Sequence, residues 1–304
     1  MTHPTTESRV NGPEPSSRDR VRELLRYRQL LLNLVSKELK VKYKTSALGF
    51  VWSMLNPALY LVIFWIVFTV FLGGNVPKFP IFLLSGLLAW NLWSGSLGGA
   101  VGSMVGNASL VTKVYFPREV LPLSAIGAAV VQFGFQFIVL LGALVVFRWG
   151  FVVEAVVLIP SALAVLLLLL IGVCLLVAVA NVYFRDVQHL LELLLLAWFW
   201  MTPIVYPVAF VAERLGGGVL WKIYRLNPLT TIVLAFQRGV YARVSPDPSG
   251  REALVGEGGV PVLIDAPVTW YLRNLGFVAG GAVALLVVGW IVFQRLESRV
   301  AEEL

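Results

Sequence analysis

Long uncharged stretches broken by short charged punctuation dominate the chain. No charge falls between Lys44 and Lys78, where the apolar centre is Ala58–Leu72, or between Lys78 and Lys113, centred on Ile81–Val105. Further uncharged intervals run from Glu119 to Arg148, Glu154 to Arg185, Glu192 to Glu213 and Arg273 to Arg295. Ala162–Ala180 is almost purely aliphatic, and Phe277–Val292 centres the last interval. A helix needs ~20 apolar residues to cross ~30 Å of hydrocarbon, and each interval is long enough. Lipid leaves no partner for unpaired backbone groups, so the intervals predict six transmembrane helices. The Leu/Val runs lack the alternation of a barrel strand. The expected fold class is therefore an all-α integral membrane protein.

Ahead of the first span the pattern changes period. Arg22, Arg26, Gln29, Asn33, Lys37, Lys40 and Lys44 step by three or four and form one polar stripe, while Leu24, Tyr27, Leu31, Leu34 and Val35 line another face. This predicts an amphipathic interface helix over 21–47. The polar segment 1–20 lacks a signal-peptide core and reads as a disordered cytoplasmic tail. Leu226–Gln237 is apolar but too short to span, which suits a re-entrant or interfacial half-helix between spans five and six. Ser245–Pro267, rich in Gly, Pro and Asp, reads as an exposed loop.

Composition agrees. Apolar residues make up 58% and charged residues 13%, with a mean hydropathy of +0.83, against roughly 45–50% and about 25% in a soluble domain. The net charge of +7 fits cytoplasmic positive loops and anionic lipid rather than nucleic acid. Ten Lys and Arg precede the first span, while Lys78 and Arg148 are the basic residues of the first two external loops. Both termini are thus expected in the cytoplasm. A lone cysteine, Cys174, and two histidines build neither a disulfide nor a His/Cys metal centre.

No P-loop, dinucleotide-binding, metalloprotease, EF-hand or nucleophile-elbow motif occurs. The spans lack the ionisable groups through which proton- or sodium-coupled carriers work. Energy for transport would have to arrive from a partner, and no bound cofactor is expected. The run Lys37, Lys40, Lys42 and Lys44, beside Tyr43 and Trp52, concentrates ammonium groups that can hold a phosphate at the membrane surface. Gly95, Gly98, Gly99, Gly102 and Gly106 give repeated Gly-x-x-x-Gly spacing on span two, suited to close packing within a subunit or at a dimer seam.

Four stretches carry a family resemblance: Glu38–Pro57 (ELKVKYKTSALGFVWSMLNP), Lys113–Pro122 (KVYFPREVLP), Asn181–Leu190 (NVYFRDVQHL), and Phe199–Tyr206 (FWMTPIVY) followed by Asn227-Pro228-Leu229-Thr230. Together they resemble the membrane subunit of ABC-2-type exporters in the polysaccharide/polyol-phosphate branch, over about residues 20–300. The resemblance implies a transmembrane domain over 48–304 in a bacterial inner or plasma membrane. It implies a homodimer paired with two ATPase subunits, ATP and Mg being held by the ATPase. The cargo implied is a lipid-linked glycan such as O-antigen, teichoic acid or galactan.

On that resemblance Lys113, Val114, Tyr115, Phe116, Pro117, Arg118 and Glu119 form the coupling segment. Phe184, Arg185 and Asp186 form a second cytoplasmic contact, and Lys37, Lys40, Lys42, Lys44 and Tyr43 flank the entrance for a lipid-pyrophosphate headgroup. Trp52, Trp198, Phe199, Trp200 and Tyr206 line the path of the glycan, whose C–H faces stack on aromatic rings. Simpler readings stand beside these. The aromatics, Trp90 and Trp93 included, also suit a lipid-interface belt, and Arg185–Asp186 suits a local cap and ion pair. Competing functions are an ABC-2 exporter of a drug or small lipid and a membrane glycosyltransferase. The latter would need acidic residues near the membrane, and no Asp-x-Asp pair exists.

Overall fold

The computed structural model describes residues 17–43, 52–71, 76, 78–150, 153–216, 218–241, 262–264 and 266–303. These form twelve α-helices: α1 (Ser17–Arg26), α2 (Arg28–Tyr43), α3 (Trp52–Trp65), α4 (Phe79–Ser103), α5 (Ala108–Lys113), α6 (Val120–Val146), α7 (Ala155–Tyr183), α8 (Val187–Trp200), α9 (Val208–Leu215), α10 (Val219–Leu226), α11 (Pro228–Val240) and α12 (Val268–Glu303). No strand occurs among the described residues. Most of the expected 1–20 tail and of the 245–267 loop lies outside them. Ser17–Arg20 differ from the tail reading and open α1, where Arg20 meets Glu297 of α12 at 3.1 Å.

Among the described residues, four helices are long and apolar enough to cross a membrane: α4, α6, α7 and Val268–Glu297 of α12. They correspond to expected spans two, three, four and six. The first expected span is α3 continued by a π-helical turn over Ile66–Phe71. The fifth is α8, whose 14 residues rise about 21 Å, short of the hydrocarbon thickness. Met201–Pro207 then leaves the helix, as Pro203 and Pro207 remove amide donors there.

Of the Leu226–Gln237 segment, Leu226 ends α10 and the residues from Pro228 onward belong to α11, where every residue from Leu229 to Val240 except Thr231 is buried. This helix packs against α4, α7 and α12. Non-spanning helix is tolerated at membrane depth when protein, rather than lipid, surrounds it. Asn227 caps it, its Oδ1 accepting from Leu229 N at 3.0 Å, and Pro228 fills the first helical position. At its other end Arg238 meets Glu154, ahead of α7, at 3.6 Å.

The core falls into two clusters. The larger fills the bundle of α4, α6, α7, α11 and the first half of α12. The smaller gathers Leu34, Met104, Val111, Phe116, Leu121, Val179 and Phe293 at what we call the basal end, where α1, α2, α5 and the C-terminal turns of α12 meet. Arg22, Arg26, Gln29, Asn33, Lys37 and Lys40 are all exposed, so the polar stripe faces outward. Leu34 is buried and Leu24, Tyr27 and Leu31 pack beside it. The apolar face of α1–α2 is therefore covered by this chain's own basal core.

Glycine placement redistributes the expected close contacts. Gly95 and Gly99 face Ala129 and Ala125 of α6, whereas Gly98, Gly102 and Gly106 have nothing near. The tightest approach is at Gly172 of α7 and Gly289 of α12.

Candidate functional site

The basal end is organised around one turn of α12. The Glu297 carboxylate accepts from Arg20 at 3.1 Å, the Glu297 carbonyl accepts from Arg118 Nη1, and the Leu296 carbonyl accepts from Tyr183 OH at 3.2 Å. Three distant stretches thus converge there: α1, the segment after α5, and the end of α7. Beside them lies a cleft of about 560 Å3 lined by Arg20, Tyr115, Arg118, Arg295 and Glu297 among others.

The 113–119 segment splits by exposure. Lys113 and Val114 are exposed and Tyr115 is 83% exposed, while Phe116 is 4% exposed and sits in the basal core. Val114 leaves the helix in an extended conformation and Pro117 follows, so the chain turns sharply between α5 and α6. Phe116 anchors the turn and Tyr115 projects from it. Phe184, Arg185 and Asp186 are exposed at the neighbouring turn between α7 and α8. The cap-and-ion-pair alternative finds no support among the described residues. Asp186 makes no side-chain cap, no ion pair joins it to Arg185, and Asn181 Oδ1 accepts from Gln188 N at 3.2 Å instead.

On α2, Lys37 and Lys40 line a cleft of about 540 Å3 with Asn33, Ser36 and Val41. Lys37 Nζ donates to Asn107 Oδ1 at 2.6 Å, tying α2 to the turn before α5. Lys42 and Tyr43 continue α2 and Trp52 opens α3, while Lys44 lies outside the described residues.

The aromatic residues divide as well. Phe199 packs edge-on against Trp90 at 5.4 Å and joins Tyr60, Phe64, Asn91 and Ser94 in a cleft of about 340 Å3 between α3, α4 and α8. Asn91 and Gln136 are hydrogen-bonded at 3.0 Å at its edge. Trp200 is exposed beside it, and Tyr206 OH donates to the Trp200 carbonyl at 2.7 Å. Trp198 points the other way. It packs edge-on against buried Trp93, and its Nε1 donates to Asn227 Oδ1 at 2.9 Å. Trp198 therefore fixes the start of α11 and does not face the cleft.

The ABC-2 type transporter family matches residues 29–241, more than half of the chain. The chain belongs to that family. It is an integral, multi-pass membrane protein. Among similar proteins, an O-antigen export system permease protein RfbA from Myxococcus xanthus is 35% identical over 80% of this chain and 91% of its own length. A Klebsiella pneumoniae protein of the same description is 26% identical over 90% of this chain and 94% of its own length. The polysialic acid transport protein KpsM of Escherichia coli is 24% identical over 66% of this chain and 76% of its own length.

Two residues of this permease gain roles that the sequence reading did not assign. Asn227 appeared as part of a motif, and the Asn-Pro pair, a helix-start signature, was the signal for its capping role. Glu119 was grouped with the flanking charges of the coupling segment, yet it is fully buried with neither carboxyl oxygen hydrogen-bonded. Burial, and next the nearby Glu297 carboxylate, push its carboxyl from the ordinary 4.5 up to about 7, against the weaker pulls of its own backbone amide and then of Arg20.

The native state then holds that proton more tightly than the unfolded chain. The stability it contributes is full below about 4.5 and is lost as pH rises through about 7. Glu119→Gln is expected to flatten this slope and raise the Tm at pH 8. Thermal unfolding in detergent at pH 5 and pH 8 measures it, and a wild-type Tm equal at both pH values contradicts the assignment.

Proposed function

We propose that this chain is the permease subunit of an ATP-driven exporter of a lipid-linked polysaccharide or polyol-phosphate polymer, working as a homodimer with two ATPase subunits. The observation that carries the reading is the 35% identity to an O-antigen export permease across 80% of the chain. The basal end is cytoplasmic in this reading, because the Lys- and Arg-rich α1–α2 and the last turns of α12 lie there. The spans number six: α3 with its π-turn, α4, α6, α7, α8 with the turn that follows it, and α12. The helices α9 to α11 form the external re-entrant hairpin.

The chemistry follows from the clefts. ATP and Mg are held by the ATPase, whose closure pushes on the exposed Tyr115 and on the Phe184–Asp186 turn. This chain performs no hydrolysis. Lys37 and Lys40, with Lys42 and Lys44 beyond them, hold the pyrophosphate of the carrier lipid at the entrance, next to anionic lipid. The glycan then passes Phe199, Trp200 and Trp90, where ring faces give many weak, replaceable contacts. Weak multi-site binding suits conduction better than one tight site. The exposed apolar faces of α3 and α8 flank this cleft and suit a second copy across the pore. Asn91 and Ser94 add hydrogen-bonding groups that a drug or small-lipid path has less use for.

In vesicles carrying the permease and its ATPase, a lipid-linked glycan is expected to cross outward when ATP is supplied. Lys40→Glu, Lys42→Glu and Lys44→Glu together are expected to stop that movement while co-purification with the ATPase persists. Unchanged export by the triple variant removes the lysines' role. Absence of glycan movement with the unaltered pair removes the reading itself.

A further inference from the structure

We propose that the ATPase-docking surface of this chain extends beyond the 113–119 segment onto the last turns of α12 and the start of α1, and that the cleft between them receives an acidic side chain of the ATPase subunit. The inference rests on the exporter reading for the existence of that partner and goes beyond it in the surface used and the chemistry received.

The cleft is built before any partner arrives. Arg20 and Arg118 are held in its wall by Glu297, one through the carboxylate and one through the carbonyl. Tyr183 braces the same turn from α7. The Glu297 charge is thereby matched by Arg20 inside the chain. Arg118 and Arg295 remain in the lining without an acidic partner among the described residues, and Lys113 stands exposed just outside. Glu119, fully buried behind the wall, offers no surface to neutralise them.

The excess charge at the opening is therefore positive. Val114 and Tyr115 form one lip and Ile291 belongs to the opposite wall, so an apolar rim surrounds the guanidinium groups. Tyrosine and arginine around a desolvated pocket are the composition that carries binding energy at protein interfaces. A carboxylate entering there would find the planar, multi-donor guanidinium geometry that binds it best. The cleft is also continuous with Tyr115, so a subunit seated on the coupling segment covers it without further movement.

Arg295 makes the test, because it is exposed, makes no bond within the chain among the described residues and lies far from the coupling segment in sequence. Binding of the full-length permease to its purified ATPase is measured in detergent at low and high salt. Arg295→Glu is expected to weaken association about tenfold at low salt and to reduce its salt dependence, as loss of a complementary charge does. Arg295→Lys is expected to bind nearly as the unaltered chain does. Tyr115→Ala is measured alongside.

If Tyr115→Ala weakens binding and Arg295→Glu does not, the extended surface is overturned and the exporter reading stands. If neither weakens it, the extended surface and the docking role of Tyr115 are both overturned, while an ATPase that still binds leaves the exporter reading standing. If Arg295→Glu alters dependence on anionic lipid in vesicles but leaves ATPase affinity intact, the cleft serves lipid and the inference is overturned. A separate arm uses Arg295→Cys. The native Cys174 is buried, so a photoreactive maleimide marks position 295 alone, and the ATPase is the expected crosslinked product. Absence of that product in the assembled complex overturns the inference independently.

Discussion

Gly172→Val forces α7 away from α12 and sharply reduces the yield of folded permease. A Cβ at Gly172 would lie 2.7 Å from Leu286 N and 2.8 Å from the Leu285 carbonyl carbon, both backbone atoms that cannot rotate aside. Gly289 meets the Gly172 backbone from the other helix at the same crossing. Helix pairs in lipid gain no hydrophobic drive from association and depend on close van der Waals contact, so small residues at the crossing matter most. This crossing belongs to the most extensive helix pair in the fold. Overpacking it is expected to cost about 3 kcal/mol, the upper part of the usual range for inserted core volume.

The measurement is Tm and monodisperse yield after detergent extraction. Gly98→Ala, where nothing lies within 4 Å, serves as the comparison and is expected to leave both unchanged. A Gly172→Val protein that melts with the unaltered chain would contradict the packing account.

The second large effect separates two adjacent aromatics. Tyr115→Ala is expected to leave the Tm unaltered and to reduce ATP-driven export at least tenfold. The side chain is 83% exposed and stands outside the basal core, so its removal opens no cavity. An interface anchor of this type is worth about 2 kcal/mol or more, equivalent to roughly thirtyfold in partner affinity. Phe116→Ala is expected to do the reverse first. Phe116 sits among Leu34, Val111, Val120 and Phe293, and truncating a buried phenylalanine costs about 3–5 kcal/mol. Export and Tm measured on both variants decide the matter. Equal loss of Tm in both would erase the distinction between an outward contact and an inward anchor.

Much of this architecture is legible in the chain because charge is expensive in lipid. Lys78 stands immediately before α4, and Glu119, Arg148, Glu154 and Arg185 bracket α6 and α7 within a few residues. The three- and four-residue stepping of Arg22 to Lys40 identifies the outward face of α1–α2 before any packing is known. What covers the opposite face was less accessible. A basic amphipathic helix reads as lying on lipid, and only the tertiary arrangement shows Leu34 buried against Met104 and Phe116.

Other features stayed hidden for reasons of the same kind. Gly172 sits within an aliphatic run that carries no register, while the glycine-rich α4 offers an apparent seam of which Gly98, Gly102 and Gly106 meet nothing. An uncharged interval sets the longest helix possible, not the helix formed, and α8 stops at Trp200 because Pro203 and Pro207 follow. Trp198 and Phe199 are neighbours in sequence, yet one clamps Asn227 and the other lines the cleft. A helix turns by 100° per residue, and composition does not say which direction is open. The Glu119 carboxyl is held up in part by the charge of Glu297, 178 positions later, and no local pattern announces it.

The convergence on Leu296 and Glu297 also constrains biogenesis. Its three bonds join residues separated by 277, 179 and 113 positions, with the acceptors always on the C-terminal side. During translation Arg20, Arg118 and Tyr183 all emerge before the acceptors that hold them in the folded chain. A nascent chain that stops before Leu296 can insert most of its hydrophobic length and still lack the carboxylate and the two carbonyls that tie α1, the segment after α5 and the end of α7 to one turn.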